Sequence, residues 1–229
     1  VDPRLITEVS MAVARAAMES GVARQPIEDW KAYRQHLREL MGQETKFTQN
    51  LYDTARMNPK RVVFAEGTHP TMLEAAVKAK AEGICHPVLL GNEDQIRHMA
   101  EEMDLKISDI EILNLRNDDQ TDRRRRYAEI LANKMQRKGY TLQEAIDKMY
   151  ERNYFGMMMV ETGEADAFIT GLYTKYSNTI KVANEVIGIR EGYNHFATMH
   201  LVNSKKGIYF IADTLINRHP NEEALEDIA

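Results

Sequence analysis

Between Gly171 and Lys181 the sequence reads GLYTKYSNTIK, which gathers the hydroxyls of Thr174, Ser177 and Thr179, the amide of Asn178 and the ammonium groups of Lys175 and Lys181. An apolar run, ADAFIT, leads into it, and a helix is predicted from Asn178 to Ile187. Such groups at a helix start suit a phosphate, because the positive end of the helix and the ammonium groups act on the same anion. Spacing alone leaves a solvated loop equally open. There is no glycine triplet and no Gly-Lys-Ser ending, so neither a dinucleotide fingerprint nor a triphosphate loop is supported. A second cluster, Glu66-Gly67-Thr68-His69, lies between an apolar run ending at Ala65 and a helix opened by Pro70. Two readings stand for it. One is a capping turn, with Thr68 or His69 as cap and Gly67 taking an unusual backbone conformation; the other is direct ligand contact.

Other conspicuous residues have ordinary roles. Arg123 to Arg126, preceded by Asp122 and followed by Glu129, spread around a helix and read as a solvated or ion-paired surface. Met157, Met158 and Met159 read as filler on a buried helix. Cys85, the only cysteine, stands at an apolar strand entrance and reads as buried, and the seven histidines show no zinc-type spacing. No metal site is expected.

The elements that must position the two loops follow from periodicity. Near the start, Pro3 opens a helix in which Val9, Val13, Ala16 and Ala17 recur until Gly21, and Trp30, Tyr33, Leu37 and Leu40 mark one face of a second helix. The sequence MGQETKFTQN then loses helical periodicity, which places a linker near Gly42. From Arg61 the order becomes strand, turn, helix: apolar strands at 61–65, 87–91 and 110–113 alternate with helices carrying Leu73 and Ala76, then Ile96 and Ala100. Two helices without an intervening strand are predicted next, Thr121 to Lys138 and Thr141 to about Asn153, the second with Thr141 and Glu144 as a capping box. Strand 165–171, the helix from Asn178, and strands at 198–202 and 208–212 complete the reading, the last two joined by a hairpin that makes one antiparallel edge. The fold class is therefore α/β, a doubly wound and mostly parallel sheet preceded by two helices. In such a sheet ligands sit outside the carboxyl ends of the strands, where both loops fall.

With 229 residues, 43% apolar and 28% charged, the chain excludes disorder and a coiled coil. A net charge of −5 argues against nucleic acid and membrane partners, and no apolar run approaches the ~20 residues of a membrane span. One cysteine and the absence of a basic-then-apolar leader point to the cytoplasm. The chain begins with Val1 rather than Met, so it is read as part of something longer.

The segments RVVFAEGTHPTMLEAA, RNYFGMMMVETGEADAFITGLYTKYSNTIK and YFIADTLINRHPNEEALEDIA resemble the phosphotransacetylase family from about Pro59 to the end. The opening DPRLITEVSMAVARAAMESGVARQPIEDW is similar to the end of the nicotinamide-binding domain of bacterial malic enzymes. Together they resemble large NADP-dependent malic enzymes that carry a carboxyl-terminal phosphotransacetylase-like domain. The resemblance implies three regions: 1–42 as the helical tail of the nicotinamide-binding domain, 43–58 as a linker or helix, and 59–229 as a phosphotransacetylase-type domain truncated in its second subdomain. It also implies a cleft for acetyl-CoA or a related phosphate-like anion, with Glu66, Gly67, Thr68, Gly171, Thr174, Lys175, Ser177, Asn178, Thr179 and Lys181 as candidate contacts. Where the family has an arginine near the start of the helix, this sequence has Lys181, which keeps the charge but loses the planar fork. The family's Ser-Arg pair and aspartate are expected beyond Ala229, so no catalytic residue is assigned here. NADP and Mg or Mn are expected in the absent body, and a homo-oligomer, dimer or larger, is expected of the whole. Three roles follow: regulation of malate decarboxylation by acetyl-CoA, active exchange of acetyl between coenzyme A and phosphate, or assembly alone.

Overall fold

A computed structural model describes residues 4–40, 46–204 and 207–229. The elements run α1 (Arg4–Glu19), α2 (Trp30–Leu40), α3 (Lys46–Met57), β1 (Lys60–Phe64), α4 (Pro70–Ala81), β2 (Cys85–Leu90), α5 (Glu93–Glu102) and β3 (Glu111–Leu113). They continue through α6 (Thr121–Met135), α7 (Leu142–Lys148), α8 (Arg152–Glu161), β4 (Ala167–Ile169), α9 (Tyr176–Val186), β5 (Met199–Ser204), β6 (Gly207–Ala212) and α10 (Glu222–Ile228). The chain divides into two compact units, one running to Thr54 and the other holding nearly everything from Ala55 on. The expected boundary between 42 and 43 lies outside the described residues, as do Pro3 and the tip of the expected hairpin loop.

In the smaller unit α2 packs on α1. Met11 and Leu37 are buried, Arg34 Nε reaches the Met11 sulfur at 2.9 Å, and the Arg15 guanidinium lies 5.2 Å from the Trp30 ring centre. The buried face of α1 therefore runs through Thr7 and Met11, whereas Val9 and Val13, expected on it, are exposed. Position against α2, not the valine spacing, decides which stripe is covered.

The larger unit holds a four-stranded parallel sheet in the order β3-β2-β1-β4, with Val63 paired to Val88 on one side and to Phe168 on the other. Successive strand side chains alternate between faces, so each strand serves two cores. Val63, Val88, Leu90 and Leu113 meet Tyr127 and Leu131 of α6, Phe155 and Met158 of α8, and Val182 of α9. Phe64 and Leu89 meet Leu73 and Ala76 of α4 and Ile96 and Ala100 of α5. A sheet covered on both faces is the expected doubly wound arrangement. The strands β5 and β6 form a separate two-stranded sheet, instead of the expected antiparallel edge of the main one. They leave Met199, Leu201, Tyr209 and Phe210 exposed.

The expected single helix from Thr141 to Asn153 is two. The capping box of Thr141 and Glu144 starts α7 as predicted, but the chain turns at Met149 and restarts at Arg152. From Asn153 to Met159 every residue of α8 is buried, so the sheet dictates its direction and α7 cannot be its continuation. Gly156 is what lets α8 approach: a Cβ there would stand 2.3 Å from Cε2 of Phe168 on β4. Tyr140, Tyr154 of α8 and Glu185 of α9 form a polar tie beside this core, both hydroxyls donating to Glu185 Oε2 at 2.6 and 2.5 Å. Burial works against the Glu185 charge, but the two hydroxyl donors, with Lys181 and Lys148, hold its carboxyl below the ordinary carboxylate range. Burial, with the bond to Glu185, pushes Tyr140 up to about 12.

Two outcomes follow. Gly156→Ala is expected to cost about 1–3 kcal/mol through overpacking, read as a lower midpoint in denaturant unfolding, with part of the loss recovered in the double variant with Phe168→Leu. Because Glu185 has its pKa lowered by folding, its contribution is complete above the unfolded carboxylate value near 4.3 and vanishes as pH falls through the folded value. Melting temperature measured against pH should therefore fall less steeply below about pH 4 in Glu185→Gln than in the unmodified protein.

Candidate functional site

Strand order places the site. β1 leads to β2 and β3 on one side, while β4 lies on the other, so connections leave β1 and β4 in opposite directions and a crevice opens at their carboxyl ends. The exits of all four strands contribute to a cavity of about 500 Å³. It is lined by Glu66 and Thr68 after β1, Asn92 and Gln95 after β2, Asn114 and Arg116 after β3, and Thr174 and Asn178 after β4, with Tyr150, Arg152 and Asn153 at the entrance to α8.

Glu66 is 1% exposed and sits at the centre. Its Oε1 accepts from Thr170 Oγ1 at 3.1 Å and from the backbone N–H groups of Gly171, Leu172 and Tyr173 at 3.2, 3.3 and 3.3 Å. Three successive amides aimed at one oxygen form an anion nest, and here the chain's own carboxylate fills it. Oε2 has no partner among the described residues. Thr170 Oγ1 also lies 3.1 Å from Asn153 Oδ1, which ties the same loop to α8.

Gly67 packs rather than bends. Its backbone is not in the left-handed region that the expected unusual conformation would need; a Cβ there would meet Leu90 O and Ile96 Cδ1 at 3.0 Å. The turn between β1 and α4 is capped by His69, whose Nδ1 accepts from Thr71 N at 3.2 Å, while Thr68 faces the cavity. The capping reading of that turn holds at His69, and Thr68 is on the cavity lining.

The second loop behaves differently from its sequence expectation. Helix α9 starts at Tyr176, two residues early. Ser177, Asn178, Thr179 and Lys181 are therefore helical: Ser177, Asn178 and Thr179 are turned by about 100° from one to the next, and Lys181 lies one turn beyond Ser177 and Asn178. Asn178 and Thr174 line the cavity; Lys175 and Ser177 are exposed outside its lining. Thr179 Oγ1 is buried without a partner among the described residues. Lys181 is exposed and looks along the helix to Glu185, 3.9 Å away.

Sequence reasoning passed over Asn92, Gln95, Asn114, Arg116, Arg152 and Asn153. The rule that ligands sit at strand carboxyl ends points to the exits of β2 and β3 as readily as to the two loops chosen. Arg124 was also misplaced with the surface. It is 4% exposed, and its guanidinium donates to Leu115 O at 2.6 Å, Asn117 O at 2.7 Å and Thr121 Oγ1 at 2.8 Å, so it holds the loop that carries Arg116. Its neighbours follow the surface reading: Arg125 pairs with Glu129 at 3.2 Å, and Arg123 and Arg126 pair with Glu164. Cys85 is buried, and burial pushes its thiol up. Among the described residues no three or more His, Cys, Asp or Glu side chains gather as a metal site, and no helix is long and apolar enough to cross a membrane.

The profile of a family described as phosphate acetyl/butaryl transferase matches residues 46–229. The NADP-dependent malic enzyme of Rhizobium meliloti is 36% identical over 232 residues, which cover all of this chain and 30% of that protein. The phosphate acetyltransferase of Thermoanaerobacterium thermosaccharolyticum is 33% identical over 187 residues, covering 79% of this chain and 56% of that one. The crystal structure of a phosphotransacetylase from Streptococcus pyogenes superposes with a TM-score of 0.67 at 24% identity, over 77% of this chain and 54% of that one, and so shares the fold. The chain spans about a third of the length of the malic enzymes it matches.

The Glu66 nest yields a direct expectation. Glu66→Ala should leave three amides without their acceptor, and amide hydrogen exchange at Leu172 and Tyr173 should rise by at least about tenfold. Glu66→Gln, which retains an oxygen acceptor, should leave exchange there closer to that of the unmodified protein. Unchanged exchange in Glu66→Ala would mean that the loop is held by something else.

Proposed function

The chain belongs to the phosphate acetyl/butaryl transferase family, matched over residues 46–229, and from that premise we propose that it is the phosphotransacetylase-like part of a cytoplasmic NADP-dependent malic enzyme. In this reading the sheet-end cavity binds acetyl-CoA or a related anion and biases oxidative decarboxylation of malate to pyruvate elsewhere in the enzyme. The observation that carries it is coverage. The phosphate acetyltransferase relative matches 79% of the chain, whereas the malic enzyme relative matches all of it, including the helices that precede the family match. A free-standing transferase gives no reason for those helices to be there.

NADP and a divalent metal belong, on this proposal, to the body of the enzyme, and this part supplies ligand sensing and assembly. The exposed apolar side chains on β5 and β6 support an assembly role, because contiguous exposed apolar surface is a common mark of association. Regulation further requires that the ligand bind two states of the enzyme unequally. The lysine at position 181 and its pairing with Glu185 favour ligand sensing over acetyl transfer, since no guanidinium fork stands at that helix start.

Malate oxidation by the intact enzyme, followed against acetyl-CoA concentration, is expected to change in rate or in KM for malate. No response in either, together with no binding of acetyl-CoA, would remove the effector role. Thiol-dependent formation of acetyl-CoA from acetyl phosphate would instead favour a working transferase.

A further inference from the structure

The β4 exit loop was the natural seat for an anion by sequence, and its three amides do converge. They converge on Glu66 Oε1, so an internal carboxylate already holds the place an incoming phosphate would take. Lys181, the other attraction there, is turned to Glu185 and lies outside the cavity lining. An anionic group entering the cavity must find its charge elsewhere.

Two guanidinium groups are available. Arg116 and Arg152 both line the cavity, and neither has a carboxylate partner among the described residues. Their neighbours are committed: Arg123 and Arg126 to Glu164, Arg125 to Glu129, and Arg124 to backbone carbonyls. Both free arginines are also positioned by their surroundings. The backbone N–H of Arg116 donates to Asn114 Oδ1 at 3.2 Å, which fixes the main chain at that residue in the loop that Arg124 clamps. The Arg152 guanidinium lies 5.5 Å from the ring centre of Tyr173, whose own backbone N–H is held by Glu66 and whose ring meets His69 edge-on at 5.3 Å. The carboxylates on the lining, Glu66 and Glu151, disfavour an anion placed beside them. The carboxamides of Asn92, Gln95 and Asn114 lie on the side of the β2 and β3 exits and offer neutral donors.

We infer that Arg116 and Arg152 form the anion seat of this cavity, taking a phosphate or carboxylate group of the ligand, and that the β4 loop is a positioning element held by Glu66. A planar fork grips such groups through paired hydrogen bonds. The inference rests on the ligand-site reading proposed above but is independent of which ligand carries the anion.

The test titrates the intact enzyme that carries this chain with inorganic phosphate, followed by phosphorus NMR, and separately with acetyl-CoA, followed by calorimetry. Arg116→Gln and Arg152→Gln are each expected to weaken phosphate binding by about tenfold or more, at unchanged melting temperature, while Arg125→Gln leaves it unchanged. Binding that both variants retain, or weakening confined to Lys181→Gln, would overturn the arginine seat and leave the acyl-CoA reading standing. Phosphate bound through the two arginines with no binding of acetyl-CoA would uphold the seat and remove acyl-CoA as its ligand. If neither probe binds the folded protein, the seat and the ligand-site reading both fall.

Discussion

A carboxylate taken almost completely out of water at the end of a central strand must be compensated, and the compensation of Glu66 organises the larger unit. One hydroxyl and three consecutive amides from the far side of the β1–β4 junction converge on a single oxygen. Desolvating an unpaired carboxylate costs several kcal/mol or more, so the strand end and the loop cannot separate without exposing that cost on both sides. The loop after β4 is thereby tied to the end of β1 through Glu66. Tyr173 inherits its place from this contact, and Arg152 inherits part of its own from Tyr173.

A second buried charge does the same for the opposite wall. Arg124 gives its donors to two carbonyls and a hydroxyl of the β3 exit, and the guanidinium also lies 4.8 Å from the ring centre of Tyr150. The cavity is thus framed by one internal anion and one internal cation, each consumed by backbone groups of an irregular segment. Such segments gain rigidity from these bonds because backbone polar groups away from water need partners. The side chains left over on the lining include Arg116 and Arg152 with several carboxamides.

The all-round burial of α8 links the two walls. Its first turn supplies Arg152 and Asn153 to the cavity, and its following residues fill the core between the sheet and α6 and α9. A helix buried on every side has little freedom to rotate or slide, and Gly156 against Phe168 sets how near it comes to β4. The placement of Arg152 and Asn153 at the cavity therefore rests on the packed centre of the fold.

The amino-acid sequence by itself determined the strand–helix alternation, the doubly wound class, the capping box at Thr141, the buried Cys85 and the methionine-filled helix. These depend on local periodicity and propensity, which neighbouring residues carry whatever lies across the chain. It also located Glu66 and Thr68 at the right strand end. Tertiary structure alone decided that Glu66 would occupy the amides of the β4 loop and that Arg124 would be buried while Arg123, Arg125 and Arg126 stayed outside. Each is a pairing between groups far apart in sequence or a choice of helix face, and four adjacent arginines carry no mark of which one the β3 exit will draw inward. The physical reason is the same throughout: a local pattern fixes the shape of a segment, but the partner of a charge is chosen by what packing brings beside it.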